Sequence, residues 1–278
     1  MRKQPFVFKA CLSTHKIGVI GLGRLGHALV ASLEEIQADV LVHDLVRHTH
    51  PGYTSTLDEL LESASILFLT VQDDNLLQLA KDIQTYLSNM QAAKDGKIVI
   101  VCSGGFAIEK LDFLKKYHCE VAKMHPLQTF SDREFTPFPR RTPFAIQASA
   151  EVTPLLTELI QRLHGKVLSL SRNQWFQYHL AAVVAANFLP LFIRKGMELM
   201  EPITRDAELS AEWLRPLINQ TVKQALNAEN DLPYSGPASR GDREVIQAHT
   251  EWLKERNREF STIYEVCSRE ILKNVLNS

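Results

Sequence analysis

The sequence predicts a doubly wound α/β fold, a parallel sheet covered by helices on both faces, followed by an all-α domain. Three observations carry that reading. Short apolar runs rich in β-branched residues alternate with segments of helical period as far as about residue 170. The first run, Ile17-Gly18-Val19-Ile20, opens straight into Gly21-Leu22-Gly23-Arg24-Leu25-Gly26, after which Ala28, Leu29, Leu33 and Ile36 recur at helical spacing. Nine of the 12 glycines precede residue 171 and helix-forming sequence follows, which sets the domains at residues 1–170 and 171–278.

The glycine run has the shape that a dinucleotide requires. Gly21 lets the backbone turn, Gly23 leaves no Cβ between the chain and a pyrophosphate, and Gly26 lets the helix lie close on the strand. The phosphates then meet the free N–H groups and the positive dipole end of that helix. Val40-Leu41-Val42-His43 reads as the second strand, with Asp44 at its end, where a ribose-binding carboxylate belongs. A tight turn without ligand is the plainer reading, and the complete strand, turn, helix and carboxylate context outweighs it.

Composition narrows the rest. A chain of 278 residues can bury a large core. The formal net charge of -1 gives no electrostatic case for nucleic acid or an anionic membrane as partner. Cys11, Cys102, Cys119 and Cys267 are scattered without a Cys-x-x-Cys, the usage of reduced cysteines in a cytosolic protein. The Met1-Arg2-Lys3 start is followed by an apolar run broken at Lys9, so no export signal is read. The longest apolar stretch, Leu180 to Ile193, contains Asn187 and Pro190, is shorter than the ~18 residues of a membrane span, and is expected to be a core helix.

After a leader over residues 1–15, strands are expected at Ser65 to Val71, Lys97 to Val101, Glu120 to Lys123, Phe144 to Gln147 and Lys166 to Leu170. Intervening helices run from Leu57 to Glu62, from Gln72-Asp73-Asp74 to about Met90, from Gly105 to Tyr117 and from Thr153 to Leu163. The segment Ser131 to Pro143, rich in proline and arginine, reads as a lip over the cleft at the strand ends. In the second domain a long helix from Arg172 to Met200, bent at Pro190, precedes helices over Asp206 to Ala228 and Asp242 to Leu276, with a loop from Asn230 to Gly241 between them.

Three strand ends converge on the predicted cofactor mouth. The backbone of Val71-Gln72 would lie beside the adenosine or its ribose, Asp73 or Asp74 serving equally as a helix cap. Ser103-Gly104-Gly105 allows close approach of a ligand and offers a hydroxyl near a nicotinamide, or is a plain glycine turn. His125, stiffened by Pro126, stands where a proton could be exchanged with a substrate oxygen or nitrogen as hydride moves. On the long helix His179 and Asn187 lie about 80° apart, as an internally bonded pair or as two groups facing the cleft. Gly236-Pro237-Ala238-Ser239-Arg240-Gly241-Asp242 puts a rigid turn, a guanidinium and a carboxylate ahead of a helix, where Asp242 reads as an N-cap with Arg240 its surface partner, or both face a substrate. A metal site from His43, His48 and His50 is not expected, because no acidic or thiol ligand completes it at usual spacing.

These residues resemble a family. The glycine fingerprint, Ser103-Gly104-Gly105, His125 through Phe130, Tyr178-His179-Leu180-Ala181-Ala182 with Asn187, and Gly236-Pro237-x-x-Arg240-Gly241-Asp242 followed by His249 resemble the oxidoreductases that join a Rossmann-like NAD(P)-binding domain to a helical domain of unknown function. The resemblance implies the two-domain fold of the 6-phosphogluconate dehydrogenase-like group and implies no substrate. The Ser then His-Pro order is similar to that of prephenate dehydrogenases, in which such a His contacts the reacting hydroxyl. The Lys that β-hydroxyacid dehydrogenases carry four residues before the helix Asn is Val183 here.

The resulting expectation is an NAD(P)-dependent oxidoreductase acting on a small anionic substrate between the domains. His125, His179, Ser103 and Asn187 are its catalytic candidates, with either histidine passing the proton, and Arg240, Asp242 and Gly236 its substrate-binding turn. Gly21, Leu22, Gly23, Arg24, Leu25, Gly26, Asp44, Val71, Gln72 and Ser103 would bind the dinucleotide. Asp44 favours NAD, since a carboxylate repels a 2′-phosphate, although Arg47 and His48 lie near enough in sequence to cradle one. Trp213 and Trp252 on apolar helices point to a homodimer. The alternative is a non-catalytic module that senses a dinucleotide.

Overall fold

The computed structural model describes residues 15–89, 96–130, 135–227 and 234–277. The leader up to residue 14 with Cys11, the predicted helix end at Met90, part of the expected lip (131–134) and part of the 230–241 loop lie outside them.

Seven strands form one sheet in the order β2-β1-β3-β4-β5-β6-β7. They are β1 (Ile17–Ile20), β2 (Val40–His43), β3 (Ile66–Leu69), β4 (Ile98–Val101), β5 (Glu120–Pro126), β6 (Pro143–Gln147) and β7 (Lys166–Ser169). β1, β3 and β4 are buried at every position, as expected of parallel strands covered on both faces. The first five strands pair in parallel. β5 and β6 pair antiparallel, with His125 opposite Ala145, and β6 and β7 then run parallel to each other. The wholly parallel sheet is therefore corrected at its far edge. A parallel return needs a crossover, usually a helix, and the described residues between β5 and β6 hold none.

The helices on the faces are α1 (Arg24–Glu35), α2 (Leu57–Ser63), α3 (Asp73–Asn89) and α4 (Thr153–Arg162), with 3₁₀ turns over Ile108–Tyr117 in place of the expected helix. α2 starts on a capping box, the Thr56 side chain accepting from Glu59 N while Glu59 reaches back to Thr56 N. One core cluster packs α1 and α4 on the sheet through Leu29, Leu33, Phe144 and Leu156. A second, around Leu60, Leu76, Ile83 and Leu111, covers the other face.

The chain divides into two compact units, the first up to Asn187 and the second Phe188–Ser278. The first thus runs past the expected boundary near Leu170, through a 3₁₀ turn (Arg172–Gln174), helix α5 (Trp175–Ala182) and a π-helical turn (Val183–Asn187). The second holds α6 (Leu189–Thr204), α7 (Ala207–Asn227), the short α8 (Pro237–Arg240), α9 (Arg243–Arg256) and α10 (Arg258–Leu276).

Three expectations about the helical part are revised. The long helix is interrupted by the π turn, and Pro190 stands at the start of α6, where its missing N–H leaves no intrahelical bond unmade. The expected helix from Asp242 to Leu276 is two helices, because Asn257 at φ -154° leaves the helical region and its side chain accepts from Phe260 N to cap α10. The stretch read as a core helix, Leu180 to Ile193, is not buried among the described residues. No residue of α6 is buried, and Leu180, Val184 and Phe188 are about half exposed. The run Arg172–Thr204 also contains an 18-residue window of mean hydropathy 1.5, so length and apolarity alone match a membrane span.

Candidate functional site

The glycine turn after β1 is held from three sides. Gly21 has φ +102°, which glycine alone adopts without strain, and Thr70 Oγ1 donates to Gly21 O at 2.6 Å and to Ile20 O at 3.0 Å. A Cβ at Gly26 would stand 2.0 Å from Gly21 O, so α1 packs against the turn only because residue 26 has no side chain. At Gly23 a Cβ would meet nothing within 4 Å. Gly23 is the N-cap of α1, no side chain caps that helix and no acidic residue stands in its first turn. An open face of uncapped helix N–H groups over a glycine is the cradle that a pyrophosphate fills, so the residues present fit a dinucleotide. Arg24 is exposed beside it, and Leu25 lines the adjoining cavity.

Asp44 stands at the end of β2 as expected, with its carboxylate already bonded to the main chain. Oδ2 accepts from Leu22 N at 2.5 Å and Oδ1 from Val46 N at 2.9 Å, so Asp44 braces the glycine turn itself.

Two cavities meet at the strand ends. One, of about 270 Å³, is lined by Leu25, Thr70, Val71, Asp73 and the Cys102 to Gly105 turn, with His125 and His179. The other, of about 560 Å³, is lined by His125, Gln128, Tyr178, His179, Val183 and Asn187 among others. His125 and His179 are common to both. The structure thus brings His125, His179, Ser103, Val71 and Asn187 to one region of the first unit, although the residues come from β5, α5, the β4 end, the β3 end and the π turn. Gln72 is exposed and its carbonyl accepts from Asn75 N at 2.9 Å.

His125 is the next-to-last residue of β5, where its Nδ1 lies 3.0 Å from Tyr178 Oη and its ring meets the Tyr178 ring edge-on. Burial, with His179 and Lys123 nearby, pulls its pKa down to about 4 against the opposing pull of Asp73, so the imidazole is neutral at physiological pH. Burial pushes the Tyr178 phenol up to about 12. The His179 ring sits over Gly104 and Gly105. A Cβ at Gly104 would come within 2.6 Å of His179 Nδ1 and 3.2 Å of His125 Nε2, so the glycine makes room for both imidazoles. His179 Nδ1 is buried without a hydrogen-bond partner among the described residues. Ser103 Oγ accepts from Gly105 N at 3.1 Å and Phe106 N at 2.9 Å, which stiffens the turn and leaves the hydroxyl proton to donate.

Two residues that the sequence reading left without a role join this region. Tyr178 was legible only as part of a motif. Lys123, a lysine inside a strand expected to be covered, was the stronger signal: it is 2% exposed.

In the second unit Gly236, at φ +94°, starts α8, and Gly241, at φ +72°, ends it. Arg240 pairs with Asp242 Oδ2 through Nη2 at 2.7 Å and Nε at 2.9 Å. Asp242 occupies the N-cap position of α9 and its side chain caps nothing, so the expected cap is corrected: the carboxylate is committed to Arg240. His43 stacks on Tyr53, and His50 bonds Glu34 at 2.8 Å.

Residues 2–144, half of the chain, match the D-isomer specific 2-hydroxyacid dehydrogenase, NAD binding domain. The chain belongs to that family. Residues 142–271 match a domain of unknown function, DUF2520. Beyond this NAD-binding domain the whole-protein likeness is partial. D-lactate dehydrogenases of Lactiplantibacillus pentosus and Lactiplantibacillus plantarum are 33% identical over 110 residues, 37% of this chain and 31% of theirs, so the chain spans about a third of the length of these curated relatives. Among solved structures, a Bacteroides fragilis protein described as an NADP oxidoreductase aligns with a TM-score of 0.77 at 22% identity, over 95% of this chain and 100% of that one. Plasmodium falciparum pyrroline carboxylate reductase with NADP bound gives 0.61 at 14%, over 95% and 100%. The imine reductase of Myxococcus stipitatus with NADP⁺ gives 0.64 at 14%, over 93% and 94%. At these identities the likeness establishes the fold, that of NAD(P)-binding oxidoreductases.

Proposed function

We propose that the chain is an NAD(P)-dependent oxidoreductase that moves a hydride to or from a small, anionic substrate, with the proton passing at His125. The observation that carries the reading is the position of His125, shared by the cavity beside the glycine turn and the larger cavity, neutral, and held through Nδ1 by Tyr178. A nicotinamide cofactor bound at Gly21 to Gly26 would supply or accept the hydride. His125 serves either direction. With Nδ1–H donated to Tyr178 Oη, the Nε2 lone pair takes a proton from a substrate hydroxyl. With Tyr178 O–H donated to Nδ1, Nε2–H hydrogen-bonds a carbonyl or imine. His179 Nδ1, buried and unpartnered, is proposed to bond the substrate, as is Asn187.

Arg240 is proposed to hold the acidic group. Its support is local: Asp242 fixes the guanidinium while leaving it 63% exposed and able to bond a second carboxylate. Asp44 favours NAD through its negative charge. The motif order Ser103, then His125-Pro126, supports a place in the 6-phosphogluconate dehydrogenase-like group.

We also propose a homodimer. In the second unit Leu189, Leu191, Phe192, Leu199 and Ile203 of α6 are exposed, as are Trp213 and Trp252, and large apolar side chains gathered on one exposed helix mark an interaction surface. A second copy suits exposed α6 better than lipid does, because Arg194, Lys195 and Glu198 form ion pairs on that helix. A dimeric mass by light scattering supports this; a monomer that binds liposomes reverses it.

Mass spectrometry of the ligand co-purified with the protein, followed by titration with NADH and NADPH, tests the main proposal. A bound dinucleotide and turnover with a carbonyl or imine acid, lost in Arg240→Ala at unchanged dinucleotide affinity, are the expected results. Tight binding without turnover across such a panel would leave a dinucleotide sensor.

A further inference from the structure

Lys123 sits on β5 two residues before His125, so both side chains leave the strand on the same face. Its ammonium is buried and is not ion-paired with any described carboxylate. Nζ donates to Gly104 O at 3.0 Å and Phe106 O at 2.8 Å and lies 3.9 Å from the ring centroid of Trp175. Burying a charge against two carbonyls and an indole face is costly. A methionine or leucine would fill the same space without that cost.

What the arrangement gains is a joint between three elements. The Ser103 to Phe106 turn contains two glycines, which bring no side chains to hold it. Ser103 Oγ ties its N–H groups, and Lys123 ties its carbonyls. Trp175, itself buried, is the first residue of α5, and its ring meets Tyr178 edge-on at 5.4 Å between centroids. One turn of that helix then carries Tyr178 to His125 and His179 to Gly104.

We propose that Lys123 is a positioning residue of the hydride-transfer site: its ammonium gathers the Gly104 and Phe106 carbonyls and the Trp175 face, and so sets the Gly104–Gly105 turn against the imidazoles of His125 and His179. This rests on the function proposed above for its purpose, though not for its geometry. The charge acts on His125 as well. The groups that bear on that imidazole are Lys123 on its own strand, His179 and Tyr178 from α5, and Asp73 from the start of α3. Lys123 and His179 disfavour the imidazolium and Asp73 favours it. Lys123 is itself drawn down to about 8 by burial, against the pull of Asp73 and Glu109, so below that pH it remains a fixed positive charge.

The test follows the His125 imidazole by NMR titration, together with NADH affinity, in the full chain. In Lys123→Met the His125 midpoint should rise by about one pH unit and NADH should bind at least tenfold more weakly, with Lys123→Arg recovering part of both. A folded Lys123→Met with both values unchanged overturns the proposal. If that variant does not fold, Trp175→Leu decides in the same way: it should displace the ammonium and move both readouts, and no movement overturns the assignment. Failure of the wild-type protein to bind either NADH or NADPH would defeat the functional reading alone, because the His125 shift still reports Lys123.

Discussion

Tyr178 Oη stands 3.0 Å from Nδ1 of His125, and this one bond joins the end of a sheet strand to a helix 53 residues further along the chain. It leaves Nε2 as the imidazole atom free to face a ligand. Tyr178→Phe should slow turnover about tenfold to a hundredfold while leaving NADH affinity within about twofold, since it frees the ring without removing the base. The stability cost should be about 1 kcal/mol, the worth of one intramolecular hydrogen bond, read by urea denaturation.

The pH dependence of stability follows from the same residue. Burial disfavours the His125 charge and pulls its pKa down to about 4 in the folded chain, from 6.5 when unfolded. Between these values the unfolded state binds more protons. Stability is therefore full above about pH 6.5 and falls as the pH drops toward 4. Denaturation midpoints across that window should fall less steeply in His125→Gln than in the wild type.

Two glycines of the fingerprint should part company. Gly23→Ala adds a methyl group that meets nothing, so thermal stability should stay within about 1 kcal/mol while NADH affinity drops at least tenfold. Gly26→Ala places a Cβ 2.0 Å from a backbone oxygen that cannot give way, and should cost several kcal/mol or abolish folding. Differential scanning calorimetry and NADH titration separate the two.

Gly104→Ala tests the crowding of the imidazoles. Its Cβ would lie 2.6 Å from His179 Nδ1, and the ring has to rotate away. We expect a folded protein with turnover reduced at least tenfold and His179 resonances displaced in the NMR spectrum. Retained activity would show that His179 need not lie over the turn.

The sequence by itself determined where the strands lie and the glycine cradle, because both are governed by local rules. Apolar runs four or five residues long between turns make buried strands, and a turn with φ +102° followed by a helix pressed on its backbone admits only glycine at Gly21 and Gly26. It also placed His125 near the end of a strand, which runs on to Pro126 rather than stopping at Lys123. Only the tertiary structure decided what that histidine faces. Tyr178 and His179 reach it through α5, Lys123 reaches the Gly104 turn across the sheet, and the reversal of β6 and β7 depends on a connection that sequence periodicity does not describe. The apolar stretch Leu180 to Ile193 read as core because hydropathy reports how strongly a side chain avoids water. It does not report whether its own chain, or another surface, supplies the cover.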